Sequence, residues 1–258
     1  MELRHTDGSA GDADYGHIGP IYRGYRQPEP EFAAAIEQAL GDARRVLNVG
    51  AGTGSYEPRD RDVTAVEPSA TMRSQRPPEL SIAVDAVAEN LPFEDDAFDA
   101  AMATFTVHQW ADLEAGLAEV RRVTVGPVVI MTGDPEGVRR FWLNDYLGEV
   151  LAVEAFRYPS VERIAAALGG SVRVQNLPIP LACVDGFNEA YYGRPEMFLD
   201  PGARRANSAW SFVDAAAESA AVEHLRADLE SGAWDSRYGA LRTQRHFEGS
   251  LLLIVAER

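Results

Sequence analysis

At 258 residues the chain is long enough for a full-sized core, as one large domain or as a domain with a sizeable insertion. Apolar residues make up 46% and charged residues 25%, as in soluble globular proteins, and no apolar run approaches the ~20 residues of a membrane span. The formal net charge of −16 argues against nucleic acid and anionic membranes as partners, because both call for a basic face. All 24 basic residues are arginine, which excludes a lysine Schiff base, a pyridoxal-phosphate anchor and a P-loop lysine. Cys183 is the single cysteine, so neither an intrachain disulfide nor a cysteine-based zinc site is expected. His5, His17, His108, His224 and His246 show no helical metal-ligand spacing, and no metal is expected.

In chain order, residues 1–27 read as an N-terminal lid segment, disordered over residues 1–14. This start is polar and acidic and lacks the apolar core of a signal peptide, so a cytoplasmic protein is expected. Pro28 and Pro30 open a helix from Glu31 to Leu40 with Phe32, Ile36 and Leu40 on one stripe. Strands are predicted at 45–49, 63–67, 81–84, 99–104 and 127–132, with helices after Ser69 through Gln75 and over 111–124, 136–154 and 160–168. Val172–Leu177 and Ser250–Ala256 read as a sixth and a seventh strand. The stretch between them, 181–248, is rich in aromatics and contains a helix over 214–231. It is expected to form a helical cap inserted between a core of 28–180 and a last core strand in 249–258. Short strands alternating with helices predict an α/β fold, a parallel sheet covered on both faces.

The densest signal is Val46-Leu47-Asn48-Val49-Gly50-Ala51-Gly52-Thr53-Gly54, followed by the strand Val63–Val66 and then Glu67-Pro68. A strand entering a glycine-rich turn, with a carboxylate at the end of the next strand, builds a pocket for an adenosine-containing cofactor. Glu67 can accept hydrogen bonds from both ribose hydroxyls. A dinucleotide fingerprint spaces its glycines G-x-G-x-x-G and seats a pyrophosphate on a helix N-terminus. Here the third glycine comes one residue early, and Ser55–Asp62 with Pro58 leaves room for only a stub helix. That arrangement suits a ligand without phosphate, such as S-adenosylmethionine.

With Asp85-Ala86 and the run Leu91-Pro92-Phe93-Glu94-Asp95-Asp96-Ala97-Phe98-Asp99 added, residues 30–135 resemble the class I S-adenosylmethionine-dependent methyltransferases. They resemble most the small-molecule branch that includes the quinone-biosynthesis type. The resemblance implies a Rossmann-like seven-stranded sheet, mostly parallel with the last strand antiparallel. It implies that Gly50, Ala51, Gly52 and Gly54 line the methionine half and ribose, and that Glu67, followed by Pro68, grips the ribose. It further implies that Asp85 and Ala86 receive the adenine amino edge, that Met72 packs on the base, and that Thr104 and Phe105 close the pocket under the sulfonium. Asn48 stands where many relatives have an acid and can still bond the ligand's ammonium or the glycine turn.

In the lid, Tyr22 and Arg26 are expected at the cofactor, Arg26 pairing with its carboxylate through a bidentate fork, with Tyr15 and Tyr25 alongside. The bland alternative makes Tyr22 and Tyr25 core anchors and Arg26 a surface charge. His108, just beyond the fourth strand, points toward the site and is the candidate general base, needed only for an acceptor that carries a proton. Trp110, Trp142, Tyr146, Tyr191 and Tyr192 are candidate acceptor-binding residues, although such aromatics also build cores. The leading reading is methyl transfer to the oxygen, nitrogen or carbon of a small molecule. A nucleotide-dependent oxidoreductase and a non-catalytic binder of the same fold stand as alternatives.

Overall fold

The computed structural model describes residues 12–258. The expected disorder over residues 1–14 therefore falls mostly outside the described residues, as does the side chain of Tyr15. Among the described residues eight strands form: β1 (Arg45–Val49), β2 (Asp62–Val66), β3 (Ala100–Thr104), β4 (Val128–Gly133), β5 (Ser171–Asn176), β6 (Ile179–Pro180), β7 (His246–Phe247) and β8 (Leu251–Glu257). Six of them make one sheet in the order β2-β1-β3-β4-β8-β5, while β6 and β7 pair as a small ribbon. β1, β2, β3 and β4 run parallel, and β8 is antiparallel to both β4 and β5. Every residue of β4 and all but the last of β8 is buried, as a sheet covered on both faces requires.

The expected strand 81–84 contributes only a bridge, Val84 against Val66. Of these four residues only Ala83 is buried, and Ile82 is 94% exposed, so the segment has no apolar face to anchor a full edge strand. The sheet therefore has six strands where seven were expected, in an α/β Rossmann-like arrangement with helices on both faces.

The helices follow their capping residues. α1 (Tyr15–Tyr25) precedes α2 (Pro30–Leu40), which turns Phe32, Ile36 and Leu40 inward. Ser69 caps α3 (Ala70–Ser74) by accepting from Met72 N at 3.1 Å, and Asp112 caps α4 (Leu113–Val123) through Ala115 N at 3.0 Å. The single helix expected over 136–154 is instead two, α5 (Pro135–Val138) and α6 (Asn144–Arg157). Phe141, Trp142 and Leu143 are all buried, and three consecutive residues of one helix cannot share a face. α7 (Val161–Leu168) packs beside α4 on one face of the sheet. On the other face lies an aromatic core shared by α6 and the segment between β6 and β7, which contains α8 (Pro201–Arg205), α9 (Ala215–Ser231) and α10 (Ala233–Tyr238). Its centre is Trp142, edge-on to Phe198 and Trp234 at ring separations of 5.6 and 5.4 Å.

Two buried carboxylates tie the layers together. No helix forms between Gly54 and Asp62, not even the expected stub. The turn is held instead by Glu57, which accepts from Asn48 Nδ2 at 3.0 Å and pairs with Arg76 at 2.9 Å. Glu189 accepts from the backbone N and Oγ of Ser250 at 2.9 and 2.6 Å, fastening the inserted segment to the start of β8. Replacing Glu57 by Ala strands Arg76, and a loss of about 3–5 kcal/mol is expected in denaturant unfolding.

Burial raises the Glu189 carboxyl from 4.5 to about 7, against the bonds from Ser250 and with help from Glu154. The folded state thus holds this proton more tightly than the unfolded state does. Its contribution is complete below pH ~4.5 and is lost as pH rises through about 7, on the order of 3 kcal/mol. Unfolding curves across pH 4–8 should show this decline in the wild type and a flatter profile in Glu189→Gln.

Candidate active site

The site lies beyond the carboxyl ends of β1, β2 and β3, where open α/β sheets bind ligands. β1 runs into a turn in which Gly50, Gly52 and Gly54 all take positive φ. A Cβ on Gly50 would overlap the Thr106 side chain, so the turn and the loop after β3 close on each other only with glycine there. Glu67 follows β2 directly. Its Oε2 accepts from Gly52 N at 2.7 Å and its Oε1 from Ser69 N at 2.8 Å. Burial raises its pKa against these two bonds and against Arg73 and Arg76. The two bonds orient the carboxylate at the wall of a cavity of about 880 Å³ and leave lone pairs on both oxygens.

A second chamber of about 480 Å³ adjoins the first, and Tyr22, Arg26 and Phe105 line both. Phe105 holds this shared wall in a left-handed conformation, φ +53°, which costs a non-glycine residue roughly 1–3 kcal/mol. Its ring packs on Phe187 at 5.3 Å, and the Arg26 guanidinium lies 4.9 Å from its centroid. Arg26 Nε donates to Asp185, whose other oxygen takes the Tyr56 hydroxyl at 2.6 Å. Tyr56 in turn accepts from Glu29 N at 3.2 Å. The N-terminal segment, the glycine turn and the inserted segment therefore meet in one buried network that roofs the cavity.

His108 lines the second chamber, at the turn Val107–Gln109 after β3. Its ring stands edge-on to Tyr158 at 5.0 Å, and its Nδ1 has no partner among the described residues. Burial first, then Arg157 and Arg26, hold its pKa well below 6.5, so the imidazole is neutral at neutral pH. Glu154 completes this side, accepting from the Tyr158 hydroxyl at 3.1 Å and from Asn188 Nδ2 at 2.9 Å, with its pKa raised by burial.

Of the residues expected at the cofactor, Tyr22, Arg26, Gly50, Ala51, Gly52, Glu67, Pro68, Met72, Ala86, Thr104 and Phe105 line the first cavity. Asn48, Gly54 and Asp85 do not. The Asn48 amide turns to Glu57, and Asp85 is exposed and paired with Arg73 at 3.0 Å. Trp110, expected at the acceptor, lines the first cavity instead. Trp142, Tyr146, Tyr191 and Tyr192 line neither chamber: Trp142 Nε1 donates to Tyr192 O at 2.9 Å, the Tyr146 hydroxyl donates to Asp228 at 2.7 Å, and both tyrosines of the pair are buried. Sequence reasoning missed Tyr56, Gln109 and Asp185 in the first cavity and Glu154, Arg157 and Tyr158 in the second. Gln109 adjoins His108 in the same loop, and Glu154 and Tyr158 are four residues apart at the end of α6, so these carried a local signal.

Comparison with known proteins gives the same reading. Residues 33–126 match the family described as methyltransferase domain. An uncharacterized methyltransferase of Mycobacterium tuberculosis is 33% identical over 144 residues, 52% of this chain and 56% of its own length. A presumed methyltransferase from an antibiotic biosynthesis pathway of Anabaena variabilis superimposes with a TM-score of 0.84 at 27% identity, over 90% of this chain and 98% of that one. A SAM-dependent methyltransferase of Thermotoga maritima shares the fold, with a TM-score of 0.54 at 17% identity over 94% and 93% of the two chains. Residues 33–126 are thus similar to the methyltransferase domain family, and the fold over most of the chain is similar to that of the Anabaena variabilis protein. The chain spans about half the length of the curated relatives it matches. Among the described residues no helix is long and apolar enough to cross a membrane.

The buried imidazole makes a direct prediction. In an NMR titration, His108 should remain uncharged as pH falls through 6.5, whereas a midpoint at or above 6.5 would contradict its placement.

Proposed function

We propose that the protein transfers a methyl group from S-adenosylmethionine to a small-molecule acceptor held in the second chamber. The observation that carries this reading is the set of residues Tyr22, Arg26 and Phe105 shared by the cavity over the glycine turn and by a second, adjoining chamber. When bound, the cofactor supplies a methyl group already activated by its sulfonium. The protein then has to align and dehydrate the reactants rather than activate them.

The residues present fit that cofactor. Glu67 is held by two backbone N–H groups with lone pairs to spare for the ribose hydroxyls, and Met72 lies on the same wall to pack on the base. Asp185 fixes the Arg26 guanidinium through Nε, and the terminal nitrogens would pair with the cofactor's carboxylate. Gly50, Ala51 and Gly52 bring bare backbone to the methionine half. The absence of any helix between Gly54 and Asp62 leaves a dinucleotide without a pyrophosphate seat.

In the second chamber Phe105, Phe187 and Tyr158 exclude water around the acceptor. In this reading His108 takes a proton from it, which a neutral imidazole with an unpartnered Nδ1 supports. The chamber's size favours a small acceptor over a macromolecule, as the net charge of −16 does over nucleic acid. The run Leu91–Asp99 supports the small-molecule, quinone-biosynthesis-like branch. The unpartnered, buried imidazole beside the second chamber favours an enzyme over a non-catalytic binder of the same fold.

A thermal-shift titration tests the cofactor. S-adenosylmethionine and S-adenosylhomocysteine should raise the melting temperature with concentration, by about 2.7 kcal/mol of stability at 100 times Kd, and Glu67→Ala should abolish the shift. A shift with NAD or NADP alone would overturn the reading. Once an acceptor is found, His108→Gln should lower turnover about 10²- to 10⁴-fold while S-adenosylhomocysteine still binds. Unchanged turnover would remove His108 from the chemistry.

A further inference from the structure

The loop after β3 carries one polar side chain that neither the fold nor the second chamber uses. Gln109 closes the turn Val107–Gln109, where its backbone N–H donates to Thr106 O at 2.7 Å. Successive residues of such a turn point about 120° apart. Val107 therefore enters the core, His108 enters the second chamber, and Gln109 turns to the first cavity beside Trp110 and Ala88. Gln109 is 7% exposed, and both its Oε1 and its Nε2 lack a partner among the described residues. Leaving both ends of a buried amide unpaired is unfavourable, and a leucine of similar shape would fill the space without that penalty.

The same cavity lacks the group expected to read the base. Asp85 is exposed and paired with Arg73 outside the wall, although its neighbours Ala86 to Glu89 line it. An adenine edge offers an amino N–H beside a ring-nitrogen acceptor. A carboxamide offers an oxygen acceptor beside an N–H donor, and the two meet as a bidentate pair. Among the described residues Gln109 is the one side-chain amide on the cavity wall.

We propose that Gln109 recognises the adenine base of the cofactor: its Oε1 accepts from the exocyclic amino group and its Nε2 donates to the adjacent ring nitrogen. This inference rests on the S-adenosylmethionine reading and assigns to Gln109 the selectivity for adenine that Asp85 is not placed to provide. It also makes Gln109 a residue kept for the ligand at the expense of the empty protein.

Two measurements on wild type and Gln109→Leu test it. Calorimetric affinities are taken for S-adenosylhomocysteine and for its analogue with hydrogen in place of the adenine amino group. The wild type should prefer the amino form by at least about fivefold, and Gln109→Leu should bind the two equally. The unliganded Gln109→Leu protein should melt at or above the wild-type temperature. A preference that survives in Gln109→Leu, or a lower melting temperature without ligand, overturns the assignment while leaving the cofactor reading intact. Failure of the wild type to bind S-adenosylhomocysteine overturns both.

Discussion

The Asp185 carboxylate organises this site. One of its oxygens takes Arg26 Nε and the other takes the Tyr56 hydroxyl at 2.6 Å, so three segments separated by 129 and 159 residues converge on one buried side chain. The backbone reinforces the junction: Gly186 N donates to Tyr25 O at 2.9 Å, and Arg26 and Asp185 form an isolated bridge. A buried ion pair is not in itself a strong source of stability, because desolvation offsets much of the attraction. Its value here is positional. With Nε tied to Asp185, the guanidinium sits 4.9 and 5.3 Å from the ring centroids of Phe105 and Tyr22, and these three residues line both chambers.

That shared lining explains why strain is tolerated within it. Phe105 keeps a left-handed backbone because Thr106 is locked against Gly50 on one side and the Phe105 ring is held by Phe187 and Arg26 on the other. The next turn then sends His108 and Gln109 in different directions, one to each chamber. Below, Glu67 is aimed by Gly52 and Ser69, and Glu57 with Arg76 holds the helix-free turn after Gly54. The chemistry proposed for this site asks for alignment and exclusion of water, and buried side chains shared by two adjoining chambers serve both.

Much of the first cavity was legible in the sequence because its contacts are local: Gly50, Gly52, Glu67 and Phe105 follow strand ends, and Met72 sits in the short helix α3 just after Glu67. Helix faces and caps were legible for the same reason, as at Phe32, Ile36 and Leu40 or at Asp112. What was not legible depends on contacts across the chain. Asp185 has no local pattern that marks it as a partner of Arg26. Trp142, Tyr191 and Tyr192 look the same in sequence whether they line a ligand chamber or fill a core, and only the packing of the inserted segment against α6 places them in the core. Asp85 lies off the cavity wall because alternation along a nearly extended segment decides which side chain faces inward, and here Ala86 takes that side.

The most direct measurement is a crystal structure of the protein with S-adenosylhomocysteine. The geometry predicts the ribose hydroxyls on Glu67, the amino-acid end against Arg26, and the sulfur at Phe105 facing the chamber of His108. An empty first cavity, or a ligand whose sulfur points away from that chamber, would contradict the central claim that these two spaces form one methyl-transfer site.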